Sequence, residues 1–175
     1  MRPSNHIVYL IGFMGSGKST AGKKLASSLG WAFVDLDKKI EETTGKKISE
    51  IFAEKGEAWF REFETEMLNT LQSFNNTVIS AGGGTPCHGA NMDYMLETGV
   101  TVYLKLTPGQ LKSRLTGSQQ ERPLLKGLYD AELLEFIREK LSLREKWYSR
   151  AEYIVDGFDP DIKWLQNLIL DRSRK

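Results

Sequence analysis

A glycine-rich segment near the amino terminus places the strongest constraint on the fold of this chain. Residues 12–19 read Gly-Phe-Met-Gly-Ser-Gly-Lys-Ser and match the pattern GxxxxGK followed by Ser or Thr. The segment follows an apolar run at 7–11 that is typical of a buried strand, and it opens an amphipathic stretch at 18–29 that is typical of a helix. A glycine turn between a strand and a helix is the setting that a phosphate-binding loop requires. We therefore predict that the chain binds a nucleoside triphosphate.

The chemistry of such a loop assigns roles to its residues. Small side chains let backbone N–H groups point at phosphate oxygens, and the helix N-terminus adds partial positive charge. Lys18 is placed to reach the β- and γ-phosphates, and the Ser19 hydroxyl to ligate Mg²⁺. The alternative is a glycine turn that only joins a strand to a helix. The predicted nucleotide contacts are Gly15, Ser16, Gly17, Lys18, Ser19 and Thr20.

The remainder of the chain alternates between apolar runs and amphipathic stretches, which predicts an α/β fold. The predicted strands are 7–11, 31–34, 77–81, 100–104 and 153–155. Strands that are apolar throughout and separated by helices imply a parallel sheet covered on both faces. Ligands of such sheets bind beyond the carboxyl ends of the strands. Four segments are predicted to lie there: 12–19, 35–37, 82–84 and 105–107.

Composition excludes several classes of protein. The chain has 175 residues, with 24 Lys and Arg against 23 Asp and Glu, so charge gives no case for a nucleic-acid or membrane-surface binder. Cys87 is the single cysteine, which rules out an internal disulfide framework and fits a reducing compartment. The first apolar run is too short for a signal core or a membrane span. We expect one domain over residues 1–175, a cytoplasmic location, and neither nucleic acid nor membrane as a partner.

Two carboxylates close the second predicted strand. Asp35 and Asp37 flank Leu36, and positions two apart along a strand share a face. One carboxylate could hold Mg²⁺ through water, while the other could orient or deprotonate an attacking hydroxyl. The alternative is a helix cap, since Asp37 precedes a helical pattern and Asp is a favoured N-cap. Capping and catalysis can coexist.

The glycines and the helical region that follow complete the sequence pattern. Residues 82–84 are all glycine and offer bare backbone N–H groups to a ligand, with a flexible turn as the alternative. Between 37 and 74 the pattern is helical, and Gly45 and Gly56 divide it into two short helices and one longer helix. Arg61, the one arginine in this region, is by periodicity alone a surface residue.

Taken together, these segments resemble shikimate kinase. The resemblance covers residues from about 7 to about 160, and the joint order and spacing of its motifs is specific where the P-loop alone is not. Ala81 is a departure, because many members have Thr before the three glycines. The residues that carry the resemblance are 12–20, Phe33-Val34-Asp35-Leu36-Asp37, Phe60-Arg61 with Glu64, the three glycines, Arg122-Pro123-Leu124-Leu125, and Arg144 with Tyr148.

The resemblance implies an activity and an architecture. It implies Mg²⁺-dependent transfer of a phosphoryl group from ATP to the 3-hydroxyl of shikimate, in the route to chorismate and the aromatic amino acids. It also implies a three-layer, nucleoside-monophosphate-kinase-like P-loop fold with a five-stranded parallel sheet. A helical substrate-binding region at about 37–74 and a mobile lid at about 117–127 belong to that architecture.

Individual residues take roles from the same resemblance. Asp35 is similar to a water-mediated metal contact, and Asp37 to the residue that binds the hydroxyl and is the candidate base. Arg122 resembles a lid arginine that reaches the transferring phosphate, and Arg114 an adenine-side contact. The implied substrate-binding positions are Arg61, Gly82, Gly83, Gly84 and Arg144, together with Asp37.

Two rival functions remain at this stage. The first is another small-molecule kinase of similar architecture, such as a gluconate or nucleoside-monophosphate kinase. The second is a nucleotide-binding regulatory or scaffold protein that has lost catalysis, against which the intact Lys18, Asp37 and Arg122 argue. We expect the chain to be a monomer that binds ATP and shikimate.

Overall fold

One parallel sheet organises the part of the chain that the computed structural model describes, which is residues 6–117, 127–128 and 130–173. Within those residues the sheet has five strands in the order β2-β3-β1-β4-β5. The strands are β1 (Ile7–Ile11), β2 (Ala32–Asp35), β3 (Thr77–Ser80), β4 (Val100–Lys105) and β5 (Tyr153–Asp156). The predicted five-stranded parallel sheet is therefore confirmed. β1 and β3 are buried throughout and β4 is buried except at Lys105, whereas the edge strands, β2 and β5, are partly exposed.

Helices follow the strands and begin and end at the residues that local chemistry favours. They are α1 (Lys18–Leu29), α2 (Leu36–Thr44), α3 (Ile48–Thr70), α4 (Asn91–Thr98), α5 (Pro108–Thr116), α6 (Asp130–Tyr148) and α7 (Ile162–Ser173). Gly30 ends α1 in the left-handed conformation, with φ 69°. Thr107 caps α5 by accepting a hydrogen bond from the Gln110 N–H, and Pro108 takes the first helical position.

The alternation of side chains along β1 creates three layers. Val8 and Leu10 point to one face of the sheet and pack with residues of α1 and α7. Tyr9 and Ile11 point to the other face, where α2 to α6 supply the core. The central strand is fully buried, because helices cover both faces of the sheet.

The helical region after β2 is divided where the glycines predict. Gly45 ends α2 in the left-handed conformation, with φ 66°. Gly56 has φ 84° and ψ 168°, which breaks α3 into a short and a longer helical piece. These three helical pieces make up the region that the sequence predicts to bind the substrate.

Two further predictions concern the lid and membrane-spanning helices. Most of the predicted lid, including Arg122, lies at 118–126, outside the described residues. Among the helices that are described, none combines the length and the apolar character needed to cross a membrane.

Candidate active site

The glycine loop forms a cradle between β1 and α1. Gly17 has φ 88° and immediately precedes α1, a left-handed conformation that favours glycine. The Lys18 ammonium is buried and donates hydrogen bonds to the carbonyl oxygens of Gly12 and Phe13, both at 2.9 Å. Its Nζ also lies 3.5 Å from the buried Ser16 Oγ. The lysine that would meet phosphate therefore rests on the loop's own backbone.

A hydroxyl and a carboxylate meet beside this loop. Ser19 Oγ donates a hydrogen bond of 2.5 Å to Asp35 Oδ2, and Ser80 Oγ lies 3.4 Å from Ser19 Oγ. The described residues contain no cluster of three or more His, Cys, Asp or Glu side chains that could hold a metal ion. Mg²⁺ at a P-loop needs only one or two protein oxygens, since water and phosphate complete its shell. The Ser19 and Asp35 oxygens fit that requirement.

The structure corrects the prediction for the acidic pair. Asp35 is the N-cap of α2, where its Oδ1 accepts a hydrogen bond from the Lys38 N–H at 3.3 Å. Asp37 does not cap; it lies in the first turn of the helix. The chain leaves the strand at Asp35, so strand alternation is not what brings the two carboxylates to the same cavity. The first turn of α2 brings them together instead, and both residues line that cavity.

Asp37 has an unusual environment for an aspartate. Its side chain opens onto the cavity, so water reaches it, but protein atoms surround it closely. That desolvation, followed by the nearby Glu64 and Asp35 carboxylates, raises the pKa of Asp37 to about 6, against the opposing effect of Lys18 and Arg61. A methyl group at Gly82 would lie 2.8 Å from Glu64 Oε1 and 3.0 Å from Asp37 Oδ1. The raised pKa makes Asp37 a suitable proton acceptor near neutral pH.

The raised pKa gives a direct prediction. In the unliganded protein, the Asp37 carboxyl group is expected to titrate with a midpoint at about pH 6. Because the pKa is raised, the carboxylate needed for base action is lost as the pH falls through that value. Carbon-13 NMR of aspartate-labelled protein measures the midpoint, and Asp37→Asn identifies the signal by removing it. A midpoint near 4, the ordinary value for aspartate, would contradict the prediction.

Arg61 is held by a buried carboxylate. Arg61 Nη1 donates to Glu64 Oε2 at 2.8 Å, and the two side chains are 13% and 1% exposed. The other Glu64 oxygen, Oε1, accepts a hydrogen bond of 2.5 Å from the Thr85 hydroxyl. The Arg61 guanidinium also lies over the Phe60 ring, with 5.3 Å to its centroid. These contacts exclude the surface position that periodicity alone suggested.

Arg144 approaches the three glycines from α6. Its guanidinium lies over the Phe13 ring at 5.3 Å, and its buried Nη1 has no hydrogen-bond partner within the described part of the chain. A methyl group at Gly83 would lie 3.4 Å from that nitrogen, and one at Gly84 would lie 2.5 Å from Arg61 Nη2. Glycine thus allows both arginines to come close. An unsatisfied buried donor here is suited to an anionic ligand.

Two cavities meet between these groups. The larger, of about 830 Å³, is lined by the P-loop and Asp35, and the smaller, of about 170 Å³, is lined by Phe60, Arg61 and Arg144. Shared residues mean that a group bound in one cavity faces a group bound in the other. The residues common to both are Met14, Asp37, Ile48, Gly82 and Gly83.

Arg114 lies beside the P-loop. Its Nη1 donates to the Ser16 carbonyl oxygen at 3.0 Å and its Nη2 to the Phe158 carbonyl oxygen at 2.8 Å. The guanidinium also lies 5.4 Å from the centroid of the Phe158 ring. Two segments that are distant in sequence are thereby joined next to the predicted nucleotide contacts.

Three residues that belong to this site were not among the predicted site residues. Glu64 holds Arg61, Thr85 holds Glu64, and the Tyr148 hydroxyl donates to the Gly83 carbonyl oxygen at 2.5 Å. The spacing of Glu64 three residues after Arg61 is a visible signal for a pair on one helix face. The resemblance already named Tyr148 together with Arg144 but gave it no role. Thr85 has no comparable signal, because its partner is distant in sequence.

Comparison with known proteins identifies the family. The model of the shikimate kinase family, described as "SKI: Shikimate kinase", matches residues 14–170. The chain belongs to the shikimate kinase family. A shikimate kinase of Bacteroides thetaiotaomicron is 45% identical over 90% of each chain, and one of Bacteroides fragilis is 48% identical over 84% of this chain and 82% of the relative.

Solved structures agree with the family assignment. The crystal structure of the Bacteroides thetaiotaomicron shikimate kinase covers 95% of both chains with a TM-score of 0.86 and 42% identity. The shikimate kinase of Acinetobacter baumannii, solved in complex with shikimate, covers 97% of this chain and 96% of its own, with a TM-score of 0.83 and 34% identity. A gluconokinase of Sinorhizobium meliloti has a TM-score of 0.56 at 20% identity, so it shares the fold alone. The predicted P-loop kinase fold and the predicted family are both confirmed.

Proposed function

We propose that this shikimate kinase family member transfers the γ-phosphoryl group of ATP to the 3-hydroxyl of shikimate, giving shikimate 3-phosphate and ADP. The reaction belongs to the route to chorismate and the aromatic amino acids. The position of Asp37 carries the proposal, because its side chain faces both the P-loop cavity and the cavity with the two arginines. A donor and an acceptor bound in these cavities would meet at one carboxylate.

The P-loop cavity would hold the triphosphate. Backbone N–H groups at 15–20 would bind its oxygens, and the Lys18 ammonium would exchange loop carbonyls for phosphate oxygens. Ser19 and Asp35, already hydrogen-bonded to each other, would hold Mg²⁺ directly or through water. When bound, Mg²⁺ supplies charge neutralisation at the β- and γ-phosphates. Arg114, fixed between the loop and Phe158, would lie on the adenine side.

The smaller cavity would hold shikimate. Arginine suits a planar carboxylate because its guanidinium can donate two parallel hydrogen bonds. Arg61 and Arg144 would bind that carboxylate, and residues 82–84 would contact the ring hydroxyls. Asp37 would accept the proton of the 3-hydroxyl as its oxygen bonds to the γ-phosphorus. The bond from that phosphorus to the bridging oxygen breaks, and ADP leaves with the electron pair.

The remaining assignments follow the same scheme. The helical region at about 37–74 would form the acceptor side of a single kinase domain spanning 1–175. The segment at about 117–127 would act as a lid, and its Arg122 would neutralise the transferring phosphate while closure excludes water. We propose that the enzyme acts as a cytoplasmic monomer, with neither nucleic acid nor membrane as a partner.

An acceptor panel tests the proposed function. With MgATP, turnover with shikimate is expected to exceed turnover with gluconate or AMP by at least about 100-fold, because the smaller cavity, of about 170 Å³, suits a compact carboxylated ring better than an extended sugar acid or a nucleotide. Coupled ADP release measures the three acceptors under one condition. A preference for gluconate or AMP would overturn the substrate assignment. Nucleotide binding with no acceptor-dependent ADP release would indicate a protein that has lost catalysis.

A further inference from the structure

We propose that Tyr148 is a positioning residue for the acceptor: its hydroxyl fixes the Gly83–Gly84 peptide unit against which shikimate binds. The inference rests on the proposed function, since it concerns the acceptor site of that reaction. Tyr148 does not line either of the two cavities, whereas Asp37 lines both and Arg61 lines the smaller one. It acts through the backbone of the glycine turn.

The hydrogen bond is partly buried, and the tyrosine hydroxyl is its donor. Tyr148 is fully buried at the end of α6, and its hydroxyl donates to the Gly83 carbonyl oxygen at 2.5 Å. Burial raises the pKa of Tyr148, so the hydroxyl remains protonated and able to donate at neutral pH. A partly buried carbonyl that loses a hydrogen-bond donor is destabilised, so the contact constrains where that oxygen can point.

Fixing this carbonyl also fixes an N–H group. A peptide unit is planar and trans, so the Gly84 N–H points opposite to the Gly83 carbonyl oxygen. Three consecutive glycines have no side chains to restrict their backbone, and the turn therefore depends on contacts from outside it. The Tyr148 hydroxyl, from 65 residues away, is one such contact.

Gly83 is one of the residues that line both cavities. A methyl group at Gly83 would lie 3.2 Å from the Met14 backbone nitrogen and 3.6 Å from the Gly12 carbonyl oxygen, both in the P-loop. A small rotation of this peptide unit would therefore alter the acceptor wall next to the transferring group. Misplacement of that order affects the rate of a positioned reaction strongly.

The same helix also carries Arg144, one turn before Tyr148. Residues four apart lie on one face of a helix, so Arg144 and Tyr148 approach the glycine turn together. The hydroxyl bond ties the carboxyl end of α6 to the turn and thereby sets how far the Arg144 guanidinium reaches. Loss of the bond should affect acceptor binding through both the turn and Arg144.

Tyr103 offers a matched control. Its ring packs against Tyr148 with 5.0 Å between centroids, and it is likewise almost fully buried. Its hydroxyl, however, donates to Glu145 Oε2 at 2.9 Å rather than to the glycine turn. Tyr103→Phe thus removes a buried tyrosine hydroxyl from the same aromatic pair without touching Gly83.

The test compares Tyr148→Phe with Tyr103→Phe. We expect Tyr148→Phe to lower kcat/KM for shikimate by about tenfold and to leave the KM for ATP within about twofold, whereas Tyr103→Phe leaves both within about twofold. Replacement of Tyr148 by 4-aminophenylalanine, which restores a donor at the same ring position, should recover most of the loss. In ¹⁵N-glycine-labelled protein, the Gly84 amide signal should move in Tyr148→Phe and stay in place in Tyr103→Phe.

Each result has a defined meaning. Equal kinetics for the two phenylalanine variants, or equal losses for shikimate and ATP in Tyr148→Phe, would overturn the positioning role. If Tyr148→Phe fails to fold, the 4-amino and 4-fluoro derivatives at position 148 are compared, and equal shikimate KM values for them would likewise overturn it. Native protein that does not phosphorylate shikimate at all defeats the proposed function instead, and the Gly84 signal still tests the contact.

Discussion

Asp37→Asn is expected to lower kcat for shikimate phosphorylation by about 10³-fold while ATP affinity changes less than about threefold. The amide keeps the size of the side chain but cannot accept the proton of the acceptor hydroxyl. Nucleotide affinity is expected to persist because the proposed phosphate contacts belong to the P-loop, which includes Lys18 and the first turn of α1.

Steady-state kinetics at saturating shikimate measures the loss, and calorimetry measures ATP affinity separately. Glu42→Gln is the matched control, since Glu42 is an exposed carboxylate on the same helix, α2. That variant should keep kcat within about twofold, in line with an ordinary surface substitution. An equal fall in ATP affinity and kcat for Asp37→Asn would place Asp37 in the nucleotide site.

Arg61→Ala is expected to produce two separate losses. The kcat/KM for shikimate should fall by about 100-fold, because the guanidinium proposed to donate to the carboxylate of shikimate is removed. The free energy of unfolding should fall by about 3 kcal/mol, because Glu64 is left as a buried carboxylate without its cation. ATP affinity should be unaffected, since Arg61 lines only the smaller cavity of the two.

A double variant separates the two losses. Arg61→Ala combined with Glu64→Gln removes the uncompensated charge, so chemical denaturation should show that most of the stability returns. The raised KM for shikimate should remain, because the acceptor's carboxylate still lacks its partner. If the double variant recovered a wild-type KM, Arg61 would act on the fold rather than on the acceptor.

Much of the fold is readable from the sequence because its signals are local. Buried strands as continuous apolar runs, and glycines such as Gly30 and Gly45 at helix ends, each depend on a few neighbouring residues. The strand order β2-β3-β1-β4-β5, by contrast, is not encoded by local signals. It depends on which runs pair across the sheet, and five similar apolar runs carry no local mark of their partners.

The same distinction between local and long-range contacts applies to the site residues. The P-loop and the three glycines are recognisable because their chemistry is set by adjacent residues. The alternative interpretation of Asp37 as a helix cap is wrong, because α2 begins at Leu36 and Asp35 is its N-cap. Thr85 was missed, and Tyr148 was named in the resemblance without a role, because each acts through one hydrogen bond to a residue far along the chain. A single long-range contact leaves no periodicity to detect.

The resting position of Lys18 has a consequence for how the nucleotide site is maintained between turnovers. Its ammonium bridges the Gly12 and Phe13 carbonyl oxygens, so the cation organises the loop from inside. A phosphate bound as proposed would replace these hydrogen bonds, and its release would restore them. Removing the cation would leave two carbonyl dipoles converging with nothing between them. Lys18 therefore stabilises the loop structure in addition to the phosphate-binding role proposed for it.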